Sequence, residues 1–358
     1  MSRPTTNWRY GKDRAGYRRV GSGLEPLVVP NPYEPTPNDR FFVYSAGHHA
    51  DIDVSTWSVR IHGSVHDEVD VGLDELLGLP QHTVTAWLEC AGNGRRLFNE
   101  QAGHEIPDRF MQTPWMLSGL GLAEWSGPRL RDVLSLARLS PDAKWIAPRG
   151  CDDDIAEPEV PQMCLPLDKA IHDDTIIALT MNGEPLGVAH GAPARVFVPG
   201  WVGAYSVKWL DSIAVSDTWV STWRSSEYYV LRDAAGNNIG PATTHPVKSN
   251  LSLDYPATMS AGKYRLSGNA RSGEARIVEV VWRIDDGGWQ RAELDESEHR
   301  WAWTPFTIEV ELTAGDHVIE TRATDAAGNT QPTVQPPHRN GVLWHAVIAH
   351  PILVTAAA

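Results

Sequence analysis

The sequence predicts an α+β fold in two parts, a mixed α/β domain followed by an immunoglobulin-like β-sandwich. In the first half, strand-like alternation and short helical segments interleave. From residue 245 onward the chain contains strand-like segments with turns at regular spacing, which is typical of a sandwich. Between the halves, Gly, Asn and Pro cluster over residues 236–250. We therefore predict an irregular N-terminal arm over residues 1–40, a first domain over 41–240 and a sandwich over 241–358.

The predicted elements of the first half follow from their apolar spacing. Two segments have helical spacing, 74–79 before Pro80 and 129–137. Four others are predicted strands, and they are 57–65, 83–88, 175–179 and 194–198. The strand over 83–88 leads directly to Glu89 and Cys90 and the short loop Ala91-Gly92-Asn93-Gly94. A cysteine is therefore expected in the loop at the end of an apolar strand.

The second half is predicted from its turns. Asp285-Asp286-Gly287-Gly288 is a hairpin turn, because Gly, Asn and Asp accept positive φ at low cost. The strand before it covers 275–284, and the return strand opens at Trp289. Two further strands are predicted over 301–312 and 317–324, and a second turn over 325–329.

Composition excludes several classes of protein. The formal net charge of −14 makes nucleic acid an unsuitable partner, because phosphate backbones are also anionic. No apolar run approaches the roughly 18 residues of a membrane span, and no export signal follows Arg18 and Arg19. We therefore predict a protein that does not enter the membrane and is cytoplasmic, or periplasmic if a leader has been removed. The three cysteines, Cys90, Cys151 and Cys164, support neither a disulfide framework nor a zinc cluster.

Cys90 is the residue whose surroundings point to chemistry. A free cysteine is usually a buried structural residue. Here Gly92 and Gly94 would let the backbone approach a bulky group, and Arg95 and Arg96 would favour the thiolate, the form that binds metals. Nucleophilic catalysis is the competing interpretation, but it requires a positioned His base that the sequence does not identify.

Three segments together resemble the sulfite oxidase family. Leu88-Glu-Cys-Ala-Gly-Asn-Gly-Arg-Arg96 resembles its molybdenum-ligand loop, and residues 190–210 resemble its cofactor-binding stretch. Met181-Asn-Gly-Glu-Pro-Leu186 resembles the turn before that stretch, and the C-terminal half is similar to the family's dimerisation domain. The resemblance extends from about residue 36 to 355. It implies a molybdopterin-binding domain, a homodimer, and oxidation of sulfite to sulfate by oxygen-atom transfer at a molybdenum–pterin cofactor.

The resemblance also implies roles for individual residues. Cys90 would be the metal ligand and a catalytic residue. The substrate oxyanion would be held by Arg95, Trp115 and Tyr228, with Arg339 as a further candidate. The cofactor would be bound by residues from three segments, and they are Phe42, Tyr44, His49, Asp153, His190, Arg195, Ser206, Val207 and Lys208. Among these, Arg195 and Lys208 carry the charges that suit its phosphate.

Two departures from the family pattern leave the substrate open. Tyr44 stands where the family usually has arginine, and His48 or His49 takes the place of a histidine that would fall on Ala46. Asn340 stands at another usual arginine position. Because a pocket without these arginines would be less electropositive, a molybdenum-dependent reductase of nitrate or an S-oxide is an alternative function. An alternative of another class is a non-catalytic immunoglobulin-like binding protein in which Cys90 is inert.

The sequence also predicts where the electrons go. It contains no CxxCH haem-attachment motif and no additional domain of haem-binding size, so no haem is expected in this chain. The resemblance implies a two-electron oxidation. The acceptor is therefore expected to be external, either a protein such as a cytochrome or dioxygen.

Overall fold

The computed structural model describes residues 16–47, 51–108, 110–152, 155, 159–233, 235–336, 338 and 340–356. The strands before residue 245 are β1 (Tyr17–Val20), β2 (Gly23–Pro26), β3 (Val43–Tyr44), β4 (Ser58–Gly63), β5 (Val69–Gly72), β6 (Gln81–Glu89), β7 (Leu120–Pro128), β8 (Trp145–Gly150), β9 (Leu165–Pro166), β10 (Ile176–Ala178), β11 (Thr180–Met181), β12 (Glu184–Pro185), β13 (Arg195–Phe197), β14 (Leu210–Ser216), β15 (Val230–Arg232) and β16 (Asn238–Pro241). The α-helices are α1 (Leu73–Gly78), α2 (Arg95–Glu100), α3 (Leu130–Ser135) and α4 (Leu167–Ala170). Single turns of 3₁₀-helix cover Val188–His190 and Gly203–Tyr205, and one π-helical turn covers Arg224–Tyr228.

Two mixed or antiparallel sheets organise the first half. The larger has the order β5-β4-β14-β8-β9, with β4 and β14 parallel, and the other has the order β12-β11-β7-β6. Val84, Ala86 and Leu88 of β6 are buried on one face, as the alternation predicted. This strand carries the chain inward, so that Glu89 at its end is also buried. The interleaved strands and short helices confirm the predicted α/β character.

The predicted irregular arm over 1–40 is wrong for residues 17–26. There β1 and β2 form a hairpin that extends through β3 into a three-stranded sheet. The turn between them uses Gly21 at φ +57°, where a side chain would meet the carbonyl oxygen of Gln112. Tyr17 anchors the hairpin by donating its hydroxyl hydrogen to the carbonyl of Phe41 at 2.9 Å. The consequence for the site is that β3 is held in place and presents Tyr44.

The second half is a sandwich of two sheets, as predicted. Its strands are β17 (Lys248–Leu251), β18 (Ala257–Ser260), β19 (Gly262–Arg271), β20 (Ile277–Ile284), β21 (Gln290–Arg291), β22 (Glu293–Leu294), β23 (Thr304–Leu312), β24 (Gly315–Asp325) and β25 (Ile348–Thr355). One sheet has the order β17-β19-β23-β22 and the other β18-β25-β24-β20-β21. Side chains from both sheets, among them Phe306, Ile308, Val280 and Ile319, form a core of their own. The return strand after the Asp285 turn is only two residues long.

A segment near the C-terminus returns to pack against the first half of the chain. Val342, Leu343 and Trp344 pack into the core of the first half rather than into the sandwich. The Leu343 amide donates to the carbonyl of Ala91 at 2.8 Å, so this segment touches the loop that follows Cys90. In the part of the chain that the structure describes, no helix is long and apolar enough to cross a membrane.

Candidate active site

Cys90 lies in a tight turn between β6 and α2. Its amide donates to the carbonyl of Gly119 at 2.9 Å, and its own carbonyl accepts from the Asn93 amide at 2.9 Å. Gly94, at φ +90°, then reverses the chain into α2. These backbone bonds fix the thiol at the wall of a cavity, where it is partly accessible.

The space that water can enter in this cavity is about 100 Å³. Its walls come from the β3 region, the Cys90 loop, the segment after β8, the β13–β14 connection and the π-helical turn. Its lining residues are Phe42, Tyr44, Ser45, Ala46, Leu88, Cys90, Ala91, Asp152, Pro161, Met163, Arg195, Gly203, Ala204, Ser206, Val207, Lys208, Arg224 and Tyr229. A mostly apolar wall with a few converging charges is typical of a cofactor or substrate site.

Two buried cations on the wall lack the partners that such groups usually have. Arg195 donates to the carbonyls of His190 at 3.0 Å and Ser206 at 2.7 Å, and its Nε is left without a hydrogen-bond partner. Burial lowers the pKa of Arg195 to about 9. Lys208 donates to Ser45 Oγ at 2.7 Å and to the carbonyl of Ala189 at 3.0 Å, and burial lowers its pKa to about 7.

An anion would complete this end of the cavity. Among the described residues of the wall, Asp152 is the one acidic side chain, and burial raises its pKa to about 6. Asp152 is mostly ionised at neutral pH, but it is the one described carboxyl on a wall that also carries Arg195, Arg224 and Lys208, so a surplus of positive charge is left in a buried place. The surplus and the free Arg195 Nε fit the phosphate of a pterin cofactor.

The surroundings of the thiol differ from the expectation that its arginines would favour a thiolate. Burial raises the pKa of Cys90, and this effect outweighs Arg95, the Gly92 amide and the Trp115 indole, which lower it. Arg96 points away and pairs with Glu100, its Nε 2.9 Å from Oε1. Without a metal, Cys90 therefore remains a protonated thiol. Metal binding displaces such a proton, because only the thiolate is a ligand.

The role of Gly92 and Gly94 in this loop also differs from the predicted one. A side chain at Gly92 would lie 2.6 Å from the Arg95 guanidinium, and one at Gly94 would lie 2.9 Å from the Cβ of Trp344. These glycines therefore make room for the protein's own side chains rather than for a bound group.

The predicted cofactor-binding residues that the structure describes fall into two groups. Phe42, Tyr44, Arg195, Ser206, Val207 and Lys208 line the cavity. His190 is buried off the cavity wall, where its Nε2 lies 3.1 Å from the carbonyl oxygen of Asn38. Ser206 uses its hydroxyl to accept the Val198 amide at 3.1 Å. His49 and Asp153 lie outside the described residues, as do His48 and Arg339.

The predicted substrate-binding side chains are buried beside Cys90 but do not line the cavity. Arg95 donates to the carbonyls of Gly341 at 3.0 Å and Thr113 at 3.2 Å. Trp115 is fully buried near the thiol, and its indole N–H has no hydrogen-bond partner of normal geometry. Tyr228 packs against Phe110 and Trp223. Asn340 donates its amide to the Tyr228 carbonyl at 3.0 Å.

Sequence reasoning missed three titratable residues of the wall, Asp152, Arg224 and Tyr229. Asp152 immediately precedes the predicted Asp153, and Tyr229 immediately follows the predicted Tyr228. Arg224 belongs to the segment Trp-Arg-Ser-Ser-Glu-Tyr-Tyr that supplied Tyr228, and no pattern in the sequence singles it out. The π-helical turn over Arg224–Tyr228 brings these side chains together, and such turns are frequent at functional sites.

Glu89, the residue before Cys90, was also missed as a charged centre. Its carboxylate accepts from Arg271 Nε at 2.6 Å, from Lys248 Nζ at 2.9 Å and from Asn93 Nδ2 at 2.8 Å. Burial acts to raise the pKa of Glu89, but Arg271 and Lys248 outweigh it and hold the pKa well below its usual range. Lys248 and Arg271 belong to β17 and β19, so the sandwich neutralises a charge at the root of the Cys90 loop.

Known proteins match this arrangement of two domains. The model of the oxidoreductase molybdopterin binding domain matches residues 46–223, and that of the Mo-co oxidoreductase dimerisation domain matches residues 241–350. Among solved structures, the sulfane dehydrogenase SoxCD from Paracoccus pantotrophus has a TM-score of 0.80 at 24% identity, covering 92% of this chain and 84% of that one.

Sequence relatives agree. Sulfite oxidase of Gallus gallus is 33% identical over 336 residues, covering 87% of this chain and 72% of that protein. Mitochondrial sulfite oxidase of Rattus norvegicus is 32% identical over 341 residues and 87% of this chain, which spans 61% of that relative's length. The chain therefore belongs to the sulfite oxidase family of molybdopterin-dependent oxidoreductases.

Proposed function

We propose that this protein binds a molybdenum–pterin cofactor through Cys90 and oxidises sulfite to sulfate. The observation that carries the proposal is the cavity, where a fixed thiol shares one wall with Arg195, Arg224 and Lys208, which have only the carboxyl of Asp152 among the described residues of the wall. Such a site offers a soft ligand for a metal and a charged cradle for a phosphate. Membership of the sulfite oxidase family identifies the group that needs both a thiolate ligand and a phosphate site as the molybdenum–pterin cofactor.

The cofactor-binding residues divide the work by charge. When bound, the cofactor supplies two-electron oxygen-atom transfer at its metal. Arg195 and Lys208 would hold its phosphate, Arg195 through the free Nε. Phe42, Ser206 and Val207 would contact the pterin from the walls. His190, His49 and Asp153 are proposed as further pterin contacts from the family resemblance.

The residues around the thiol would bind the substrate. Trp115 has a buried indole N–H that faces the thiol, and Arg95 and Tyr228 also lie near the thiol. We assign these three to binding and orienting the oxyanion, with Arg339 as a further candidate. Preorganised donors in a site closed to water stabilise developing negative charge strongly.

The proposed assembly and electron transfer follow the domain organisation. The domain matched over residues 241–350 supports a homodimer. Two electrons per turnover would pass to an external acceptor, either a protein such as a cytochrome or dioxygen. The cytoplasmic location stays a prediction from the sequence.

A second candidate function concerns the direction of the reaction. Tyr44 lines the cavity at a usual arginine position, and Asn340 is committed to the Tyr228 backbone at another. Loss of two guanidiniums would suit a reductase of nitrate or an S-oxide. Faster turnover with reduced viologen and either oxidant than with sulfite and ferricyanide would favour it. A non-catalytic binding protein would leave the thiol and its buried cations without a role.

The deciding experiment measures molybdenum and pterin content together with sulfite:ferricyanide activity on one purified sample. We expect about one molybdenum per chain and sulfite turnover, as one cofactor site implies. Molybdenum without sulfite turnover would retain the cofactor and replace the substrate. Absence of molybdenum from protein made in a host that produces the cofactor would contradict the assignment of Cys90.

A further inference from the structure

Arg224 is a buried arginine whose hydrogen-bonding capacity is largely unused. It is 4% exposed, its Nε donates to the carbonyl of Glu159 at 3.0 Å, and its Nη2 is buried without a hydrogen-bond partner. No carboxylate of the described chain lies within ion-pair distance of it. Because an unsatisfied buried guanidinium is costly, its retention calls for a partner that the described part of the chain does not supply.

The position of Arg224 restricts that partner to the cavity. The side chain is part of the same wall as Cys90 and Tyr44. Its guanidinium carbon lies 5.2 Å from the ring centre of Trp223 and 5.7 Å from that of Tyr228, so two aromatic faces hold it in place. Stacking of this kind orients the planar fork while leaving its outer N–H groups free for an anion.

Other arginines near the thiol are less available. Both hydrogen bonds of Arg95 go to backbone carbonyls, and the side chain is packed against Gly92. Arg195 is held by the carbonyls of His190 and Ser206 and faces Lys208 across Gly191. Tyr44 and Asn340 supply no positive charge. Arg224 therefore shares the wall with the thiol and donates to one carbonyl. Asp152 on this wall interacts with its charge, but no salt bridge joins Arg224 to a carboxylate of the described residues.

We propose that Arg224 binds the anionic substrate and sets the specificity of the site for oxyanions. The proposal rests on the proposed function, because it assumes that the anion taken up near Cys90 is the substrate. A guanidinium presents two parallel N–H donors to two oxygens of sulfite or sulfate. Tyr44 and Asn340 stand at positions where the family usually has arginine. Arg224, in the π-helical turn, would supply a positive charge in place of those arginines.

The test compares Arg224→Gln and Arg224→Lys with the wild type as loaded enzymes. We expect Arg224→Gln to raise the KM for sulfite about 10- to 100-fold, the range for losing a hydrogen-bonded charge. The value of kcat should change less, and Arg224→Lys should recover part of the loss. Arg232→Gln is the matched control, because Arg232 follows the same turn but pairs with Glu227 outside the cavity wall. It should keep the wild-type KM.

Two further measurements separate this proposal from others. Molybdenum and pterin content should be equal in all variants, and loss of either in Arg224→Gln would overturn the proposal by making Arg224 a cofactor ligand. A wild-type KM in Arg224→Gln would also overturn it. If the wild type does not turn over sulfite, the proposed function fails, and calorimetric binding of sulfate then decides about Arg224. Weaker sulfate binding by Arg224→Gln supports its role, and equal binding contradicts it.

Discussion

Cys90 combines partial exposure to a cavity with a pKa raised by burial. A thiol in that state is a weak nucleophile, since the thiolate is the reactive form. A metal that displaces the proton makes the same residue a strong ligand. Both roles need the thiolate, but nucleophilic catalysis also needs a histidine base, and no histidine is among the described residues of the cavity wall, which favours the metal-ligand interpretation.

We expect Cys90→Ser to fold normally and to lose turnover, because a serine hydroxyl does not form the soft anionic ligand that the metal prefers. Molybdenum content, turnover and the free energy of unfolding should be measured on the same preparation. Cys151→Ser is the control, since that half-buried thiol donates to the Trp209 carbonyl at 3.2 Å, which a hydroxyl can also do. More than a few per cent of wild-type activity in Cys90→Ser with metal still bound would remove the ligand assignment.

Residues within contiguous motifs were predictable from the sequence, whereas residues defined by distant contacts were not. Cys90, Arg195 and Lys208 stand in continuous segments whose order alone indicates a shared site, and all three line the cavity. Glu89 pairs with Lys248 and Arg271, 159 and 182 residues away, and only the docking of two domains brings them together. Arg224 differs from a surface arginine solely in its burial, which no local pattern encodes.

At the level of elements, α2 begins where the Cys90 loop ends, and a left-handed glycine makes the connection. Gly94 has φ +90° and faces Trp344, a residue of the C-terminal segment. The start of this helix therefore depends on backbone conformation and on packing across the domain junction. Similarly, the hairpin of β1 and β2 escaped prediction because Gly21, Gly23 and the arginines of β1 obscure strand alternation.

Gly94→Ala should lower the free energy of unfolding through backbone strain and through overpacking against Trp344. A left-handed alanine costs about 1–2 kcal/mol, and overpacking against Trp344 adds about 1–3 kcal/mol. Gly103→Ala isolates the backbone strain, because Gly103 has φ +64° and open space where an added Cβ would lie. Denaturant unfolding of both variants should show the larger loss at Gly94. Equal losses would mean that the Trp344 contact is relieved without cost.

For the whole molecule, the ion cluster around Glu89 joins the two domains. Arg271 is fully buried at one end of β19, and Arg265 of the same strand is exposed and pairs with Glu293 at 2.9 Å. Arg271→Met should destabilise the protein by about 3–5 kcal/mol, because it breaks a buried ion pair. Arg265→Met should cost less than about 1 kcal/mol. Similar unfolding free energies for the two variants would show that the cluster contributes little to domain association.

The same cluster predicts a pH dependence of stability. Burial lowers the pKa of His245 to about 4, although Glu89 acts to raise it, while Lys248 and Arg271 lower it further. Below pH of about 6.5 the unfolded chain binds a proton that the folded chain refuses, so stability present at neutral pH is lost as pH falls toward 4. The loss from this residue reaches about 3 kcal/mol at 1.36 kcal/mol per pH unit.

His245→Gln removes that proton while keeping an N–H for the Glu89 carbonyl, which His245 Nε2 contacts at 3.1 Å. Urea unfolding at pH 7, 6 and 5 should therefore show a flatter decline in this variant than in the wild type. Other titrating groups are common to both proteins, and their effects cancel in the comparison. Parallel declines would show that the folded protein protonates His245 as readily as the unfolded chain does.

The pairing of Glu89 with the sandwich also sets an order of events during biosynthesis. A chain made from its N-terminus emerges with the Cys90 loop long before Lys248 and Arg271 are available. Until then the carboxylate of Glu89 has no cation to be buried against, so water must remain at the base of the loop. The finished loop thus exists only after the second domain has been translated and has docked. We therefore expect the cofactor to be loaded after translation, once the second domain has docked.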